Sequence, residues 1–269
     1  MAHDITDAVL SRLANFTVAL VYREDGSKER MTLGTGVLVT IGGRRGLLTC
    51  GHVADRFEKL KDVGMASFAN GRRHFFDVKF DLNLILASSD SFKDSENVLD
   101  LAFTLFPPAL ASSIEATDGV FLNIDKNRGK VEAFASTKRS FVDAILGMVK
   151  ELGGESSVDG EEFTSNLRGS LYTGSSSSKE NGLVVFEPTD SIEKLPKSFG
   201  GMSGSGVWRV YYETNGSEAS LENVMLCGVV SWQIPGEKLI ACQGWDRIDQ
   251  ALIPEVCKNL PAQVAPAQF

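Results

Sequence analysis

Only three histidines stand in the 269 residues, so histidine-dependent chemistry has few places to go. His3 lies near the terminus, and His74 follows Arg72-Arg73 in what reads as a solvated surface turn. His52 is different: it stands in L-L-T-C-G-H-V-A-D, after a buried-type strand and at the start of a short helical pattern. A strand end beside a helix start sets a side chain on the rim of a sheet, where catalytic groups gather. A second feature is F-G-G-M-S-G-S-G-V-W, residues 199–208. Its glycines around Ser203 and Ser205 make a side-chain-poor turn whose N–H groups can converge on one point, as oxyanion stabilisation requires. A plain glycine-rich hairpin loop has the same composition. No G-K-[ST] follows, so it is not a phosphate loop, and Ser205 breaks the G-x-S-x-G elbow. A third is V-L-D-L-A-F, residues 98–103, where one acid sits inside an apolar strand. A buried carboxylate costs several kcal/mol unless paired or hydrogen-bonded, so Asp100 needs a partner such as a histidine N–H, unless it points to solvent from the strand end.

The elements that must position these groups read mostly as β. A short helix is expected over 5–15, with Ile5, Val9 and Leu13 on one face. Strands follow at 16–22, 32–40, 46–49, 74–80, 83–87 and 98–106, separated by turn residues such as Glu24-Asp25-Gly26-Ser27 and Gly42-Gly43. Pro107-Pro108 cannot donate to a ladder and is taken as the domain boundary, giving 1–107 and 108–269. In the second part, strands are expected at 118–123 and 130–135 and an amphipathic helix at 140–152, stopped by Gly153-Gly154. Residues 153–182 read as a mobile Gly/Ser-rich loop without chemistry, peaking at Ser175 to Ser178. Strands resume at 183–187, 205–212 and 224–232, and 245–260 has the spacing of a docked C-terminal helix, with Pro254 inside it as a potential kink.

Composition narrows the partners. A hydrophobic content of 43% can build a sizeable core, and 27 basic against 35 acidic residues gives a formal charge of −8. Proteins that grip phosphate backbones carry a basic surplus, so nucleic acid is not expected as the main partner. The first residues, with two acids and no basic run, do not read as a secretory signal, and no window is apolar enough to span a membrane. Cys50, Cys227, Cys242 and Cys257 lack C-x-x-C spacing, so reduced and mostly buried thiols in a cytoplasmic protein are expected, a single disulfide among the later ones being the alternative. No metal-ligand spacing is recognisable, and no cofactor is expected.

Together, T-C-G-H-V-A-D, L-D-L-A-F and G-M-S-G-S-G-V-W resemble the motifs of trypsin-like (chymotrypsin-fold) serine proteases, in the order His52, Asp100, Ser203. L-C-G-V-V-S-W, residues 226–232, resembles that family's substrate-flanking strand. The resemblance implies two six-stranded antiparallel β-barrels in a mainly all-β fold, with a C-terminal helix and a helical or loop insert in the second half. It implies a serine endopeptidase in which His52 takes the Ser203 proton and Asp100 holds the imidazole, with no cofactor. Gly201 and Ser203 become the oxyanion donors, Ser231 a support for Asp100, and Ser231, Trp232 and Gln233 a strand for a protein or peptide substrate. Met202 stands where digestive members carry the aspartate that captures a new N-terminus, so the likeness is to intracellular bacterial or stress-type members without that zymogen switch. Lys197, six residues before Ser203, falls where the primary specificity pocket often has its base, and a lysine there favours an acidic side chain. A regulatory protein partner is compatible with this reading. The alternatives are a catalytically idle binding or scaffold protein on the same fold and an acyl hydrolase of small esters.

Overall fold

The structure is a computed structural model that describes residues 3–23, 30–60, 63–68, 74–78, 83–87, 98–134, 139–150, 157–159, 162–164, 169–190, 195–215 and 218–262. Helix α1 (His3–Ala14) opens it and buries Ile5, Val9 and Leu13, the stripe expected from their spacing. The first sheet is built from β1 (Thr17–Arg23), β2 (Arg30–Ile41), β3 (Arg44–Thr49), β4 (Val63–Ser67), β5 (His74–Asp77), β6 (Asn83–Ala87) and β7 (Asp100–Leu105). Their order is β5-β4-β1-β2-β3-β7-β6, all antiparallel, and an eighth short strand, β8 (Leu122–Asn123), adds in parallel to β2. Helix α2 (Gly51–Glu58) follows β3, and α3 (Pro108–Glu115) starts at the second proline of the pair, where a missing N–H costs nothing. Because β8 lies beyond Pro108, the first sheet draws on residues from both sides of that pair.

The second sheet is a closed six-stranded barrel. Its strands are β9 (Phe141–Met148), β12 (Gly169–Ser178), β13 (Leu183–Pro188), β14 (Gly206–Asn215), β15 (Glu218–Gln233) and β16 (Ile240–Gly244), in the order β12-β13-β16-β15-β14-β9. A small hairpin, β10 (Ser157–Asp159) with β11 (Glu162–Thr164), stands apart from it. The chain is thus mainly β in two sheets with a C-terminal helix, consistent with a chymotrypsin-type two-barrel fold. No helix among the described residues is long and apolar enough to cross a membrane.

Several local expectations change. Residues 130–134 fall in helix α4 (Ile124–Phe134), and the helix expected at 140–152 is strand β9 over Phe141–Met148; residues 135, 151 and 152 lie outside the described residues. In β9 the run from Asp143 to Met148 is buried throughout, so neither face shows the alternation that marks a half-exposed strand. The serine run 175–178 belongs to barrel strand β12, paired with β13 on one edge. Ser176 donates its amide and hydroxyl to Asp143, which is itself buried and paired with Arg209 at 2.7 Å. His74 sits half-buried in β5, paired with Ser67 of β4, and not in a surface turn. Strands β4 and β16 were not foreseen. The turn at 24–27 and Gly153-Gly154 lie outside the described residues.

One apolar cluster joins the two sheets. Phe16, Leu38 and Phe103 of the first half pack with Trp208, Leu226 and Val229 of the barrel and with Ile248, Leu252 and Val256 of the C-terminal run. Trp208 is fully buried and stacks on Phe16 at 5.4 Å. Full burial of such side chains contributes about 1.5–3 kcal/mol each. That run comprises α5 (Trp245–Arg247), a π-helical turn at Ile248–Leu252 and α6 (Ile253–Asn259), and Pro254 takes one of the first positions of α6. Arg44 ties its end to the first sheet by donating to the carbonyls of Leu260 (2.8 Å) and Cys257 (3.1 Å). A second cluster, including Ile145, Tyr172, Phe186, Phe199, Met202, Val207, Val230 and Ile240, fills the barrel.

Candidate active site

Strands β3 and β7 are antiparallel neighbours in register Thr49↔Ala102, so the end of one abuts the start of the other. His52 stands in the first turn of α2 just past β3, and Asp100 opens β7; this topology brings them together. The Asp100 carboxylate accepts the backbone N–H of His52 on Oδ1 and lies 2.9 Å from the ring Nδ1 through Oδ2. The same Oδ2 accepts the Ser231 hydroxyl. Asp100 is fully buried, whereas the His52 side chain is 27% exposed. The segment leading into Asp100 is held by Arg247, which donates to the Val98 carbonyl at 2.9 Å.

Ser231 reaches both sides of the site because it sits at a β-bulge. The β15–β16 register passes from Val230↔Cys242 to Trp232↔Ala241, leaving Ser231 without a ladder partner on that side. Bulges re-aim side chains in this way beside active sites. Its hydroxyl goes to Asp100, and its carbonyl accepts the Ser203 hydroxyl at 3.1 Å. His52, Ser203, Ser231, Trp232 and Gln233 line one cavity of about 490 Å³, together with Phe199 and Gly200.

The turn carrying Ser203 has an uneven distribution of amides. Those of Phe199, Gly200, Met202, Gly204 and Ser205 donate to Gln233 Oε1, Ser198 Oγ and the carbonyls of Phe199, Val230 and Met202 respectively. Those of Gly201 and Ser203 donate to no acceptor among the described residues. The reason is local: C=O and N–H point opposite ways in a trans peptide. The Gly200 carbonyl is held by Lys150 N–H (2.8 Å) and that of Met202 by Ser205 N–H (2.9 Å), which turns the following two N–H groups away from those partners. Met202 is buried in the barrel interior and anchors the turn from inside.

Thr35 of β2 fastens this turn to the other half of the protein. Its N–H donates to the Ser203 carbonyl (2.8 Å), its hydroxyl donates to the Gly201 carbonyl (2.9 Å), and that hydroxyl accepts the Met148 N–H (3.1 Å). Thr49 in turn donates to the Thr35 carbonyl at 2.8 Å. Sequence reading missed Thr35, Thr49 and Arg247. It also placed Lys197 in the substrate site, but Lys197 is exposed, is not among the residues lining the cavity, and its carbonyl accepts from Lys238 Nζ at 3.2 Å. Gln233 bridges the cavity wall by accepting Phe199 N–H and donating to the Glu237 carbonyl at 3.0 Å.

Burial is the largest influence on the His52 imidazole and pulls its pKa down, but the Cys50 sulfur and the Asp100 carboxylate outweigh it, and the pKa is raised above the ordinary value. Cys50 is itself fully buried, which pushes its thiol up, so at neutral pH it keeps its proton. The lasting upward pull on His52 therefore comes from Asp100. Burial opposes the Asp100 charge as well, yet the bonds from His52 and Ser231 hold that carboxylate below its usual range.

No protein-family model matches the chain, and no curated protein matches it. Among solved structures, it is similar to the serine protease domain of the Sesbania mosaic virus polyprotein, at 18% identity over 88% of this chain and 92% of that one, with a TM-score of 0.46. A thermostable serine protease from an extremophilic microorganism shares 10% identity over 87% and 93% of the two chains, with a TM-score of 0.47. The tobacco vein mottling virus protease shares 9% over 96% and 88%, with a TM-score of 0.40.

Proposed function

We propose that the chain is a serine endopeptidase with His52, Asp100 and Ser203 as its triad. The observation that carries this reading is that His52, paired with the buried Asp100, shares one cavity with Ser203, while the amides of Ser203 and Gly201 have no acceptor among the described residues. The Ser203 hydroxyl turns from the Ser231 carbonyl to His52 Nε2, which takes its proton as Oγ attacks the substrate carbonyl. Negative charge on that oxygen is met by Gly201 and Ser203 N–H, each worth about 3–4 kcal/mol in such sites. The leaving amine receives the proton from His52, and water then releases the acyl group by the same route. Met202 offers no carboxylate to a newly freed amine, so the site needs no N-terminal cleavage.

A peptide is favoured over a small ester by the strand beside the cavity. β14 pairs with β15 only as far as Gly206↔Val229, so Ser231, Trp232 and Gln233 keep one edge without a ladder partner among the described residues. An extended substrate can add there as a further strand. The direct test is covalent: a fluorophosphonate probe is expected to label Ser203, and Ser203→Ala or His52→Ala to abolish labelling. Labelling that survives both changes would overturn the reading.

Thr35 gives a second expectation. Thr35→Val keeps the shape but strands the Gly201 carbonyl and the Met148 N–H, at about 1–3 kcal/mol for each buried group left unpaired. Fluorophosphonate labelling is expected to slow by about 10–100-fold, with Thr35→Ser restoring most of the rate. Equal rates for Val and wild type would show that the clamp does not position the turn.

A further inference from the structure

Cys50 has no evident part in the fold beyond filling space. It is the N-cap residue of α2 but makes no capping bond with its side chain, and its sulfur lies 3.7 Å from His52 Nε2. On the other side of the ring, Asp100 faces Nδ1. A carboxylate there keeps the proton on Nδ1 and the lone pair on Nε2, the arrangement by which histidines are prepared as metal ligands.

We propose that Cys50 Sγ and His52 Nε2 form an inhibitory site for a thiolate-seeking divalent cation such as Zn²⁺, with Asp100 as the carboxylate behind the histidine. The spacing fits. Zinc bonds of about 2.3 Å to sulfur and 2.0–2.1 Å to nitrogen at a tetrahedral angle place the two donors about 3.6 Å apart. The sulfur, a ring nitrogen and a carboxylate oxygen of these three residues all lie within 4.8 Å of one another. The cation enters from the cavity that His52 lines, where water can complete its coordination. On binding, the Cys50 S–H bond breaks, the sulfur–zinc bond forms and the proton passes to solvent. A thiolate ligand favours zinc or cadmium over calcium or magnesium, which take oxygen ligands.

The inhibitory consequence rests on the reading of His52 as proton acceptor, because a metal on Nε2 occupies the lone pair needed by Ser203. Metal binding itself does not rest on it, and the two are read separately. Titrating the metal-free protein with Co²⁺ is expected to give a thiolate-to-cobalt charge-transfer band that Zn²⁺ displaces and that Cys50→Ala lacks. A variant with the other three cysteines changed to alanine keeps Cys50 and is expected to keep the band. Micromolar Zn²⁺ is expected to slow fluorophosphonate labelling at least 10-fold, reversibly on chelation, while Cys50→Ala labels equally fast with and without the metal. Loss of the band from the triple variant, or equal zinc sensitivity in Cys50→Ala, would overturn the proposal. A cobalt band without any labelling of the metal-free protein would leave the metal site standing and remove the protease reading.

Discussion

Asp100→Asn is expected to lower the rate of Ser203 labelling about 10⁴-fold while leaving the fold intact. The argument starts from three donors. His52 N–H reaches Oδ1, and both the His52 ring and the Ser231 hydroxyl reach Oδ2. A carboxylate can accept all three, but an amide has one oxygen and one donor group. If the amide oxygen takes the Oδ2 position, its NH₂ faces the His52 N–H, donor against donor. The better choice puts NH₂ at Oδ2, where the Ser231 hydroxyl can rotate to accept and the ring must accept on Nδ1. The ring proton then moves to Nε2, and no lone pair remains to take the serine proton. The pH profile gives an independent readout. His52 must be neutral to act, so activity rises as pH climbs through its raised pKa, and the acid limb of the wild-type profile lies above the range of an ordinary histidine. Without the carboxylate, burial acts against the imidazolium alone and the limb moves to lower pH. A rate within 10-fold of wild type, with an unmoved acid limb, would mean that Asp100 is only structural.

How far the site could be read from sequence depended on whether a residue's role was local. His52, Asp100 and Ser203 stood out because each breaks its own surroundings: an imidazole after a buried strand, an acid among apolar residues, a hydroxyl among glycines. Thr35 breaks nothing, since threonine is an ordinary strand residue, and its role exists only through bonds to Gly201 and Ser203 far along the chain. The one local signal was its neighbour Gly34, where a side chain would meet Val53 at 2.9 Å and the Ser203 carbonyl at 3.0 Å. A glycine inside a strand marks such close approach. Strand β9 failed as a sequence reading for a related reason. Its partners β12 and β14 lie beyond it in the chain, and burial of nearly its whole length removed the period that separates strand from helix. The Ser175–Ser178 run looked like a loop because hydroxyls seldom fill a barrel wall. Here Asp143 supplies an acceptor for one of them, and the β13 ladder uses the backbone. Lys197 rests on counting back from Ser203 alone; its side chain is exposed and its carbonyl accepts from Lys238 Nζ, a contact between residues 41 apart that no local pattern announces.

The docking of the turn onto the first sheet makes Gly204→Ala a severe change. Gly204 has φ +88°, and a Cβ there would run into the Thr35 carbonyl and the Thr49 hydroxyl. Neither obstacle can easily recede. The two groups are bonded to each other at 2.8 Å, and the Thr35 N–H holds the Ser203 carbonyl at the same distance. Left-handed backbone costs an alanine about 1–2 kcal/mol and overpacking about 1–3 more. A loss of about 4 kcal/mol corresponds to a fall in Tm of about 10 °C for a chain of this size. Gly43→Ala separates the two causes, because Gly43 also has a positive φ, +76°, but nothing lies within 4 Å of the position its Cβ would take. It is expected to lose only the backbone part, about 1 kcal/mol, and to label at the wild-type rate. In Gly204→Ala the turn must lift from Thr35, which swings the Ser203 peptide and its N–H out of the cavity. Labelling is therefore expected to fall at least 100-fold even well below the melting transition, the order of one lost oxyanion donor. Equal Tm losses for the two variants, with labelling retained in both, would show that the contact between Gly204 and β2 neither stabilises the fold nor aims the nucleophile.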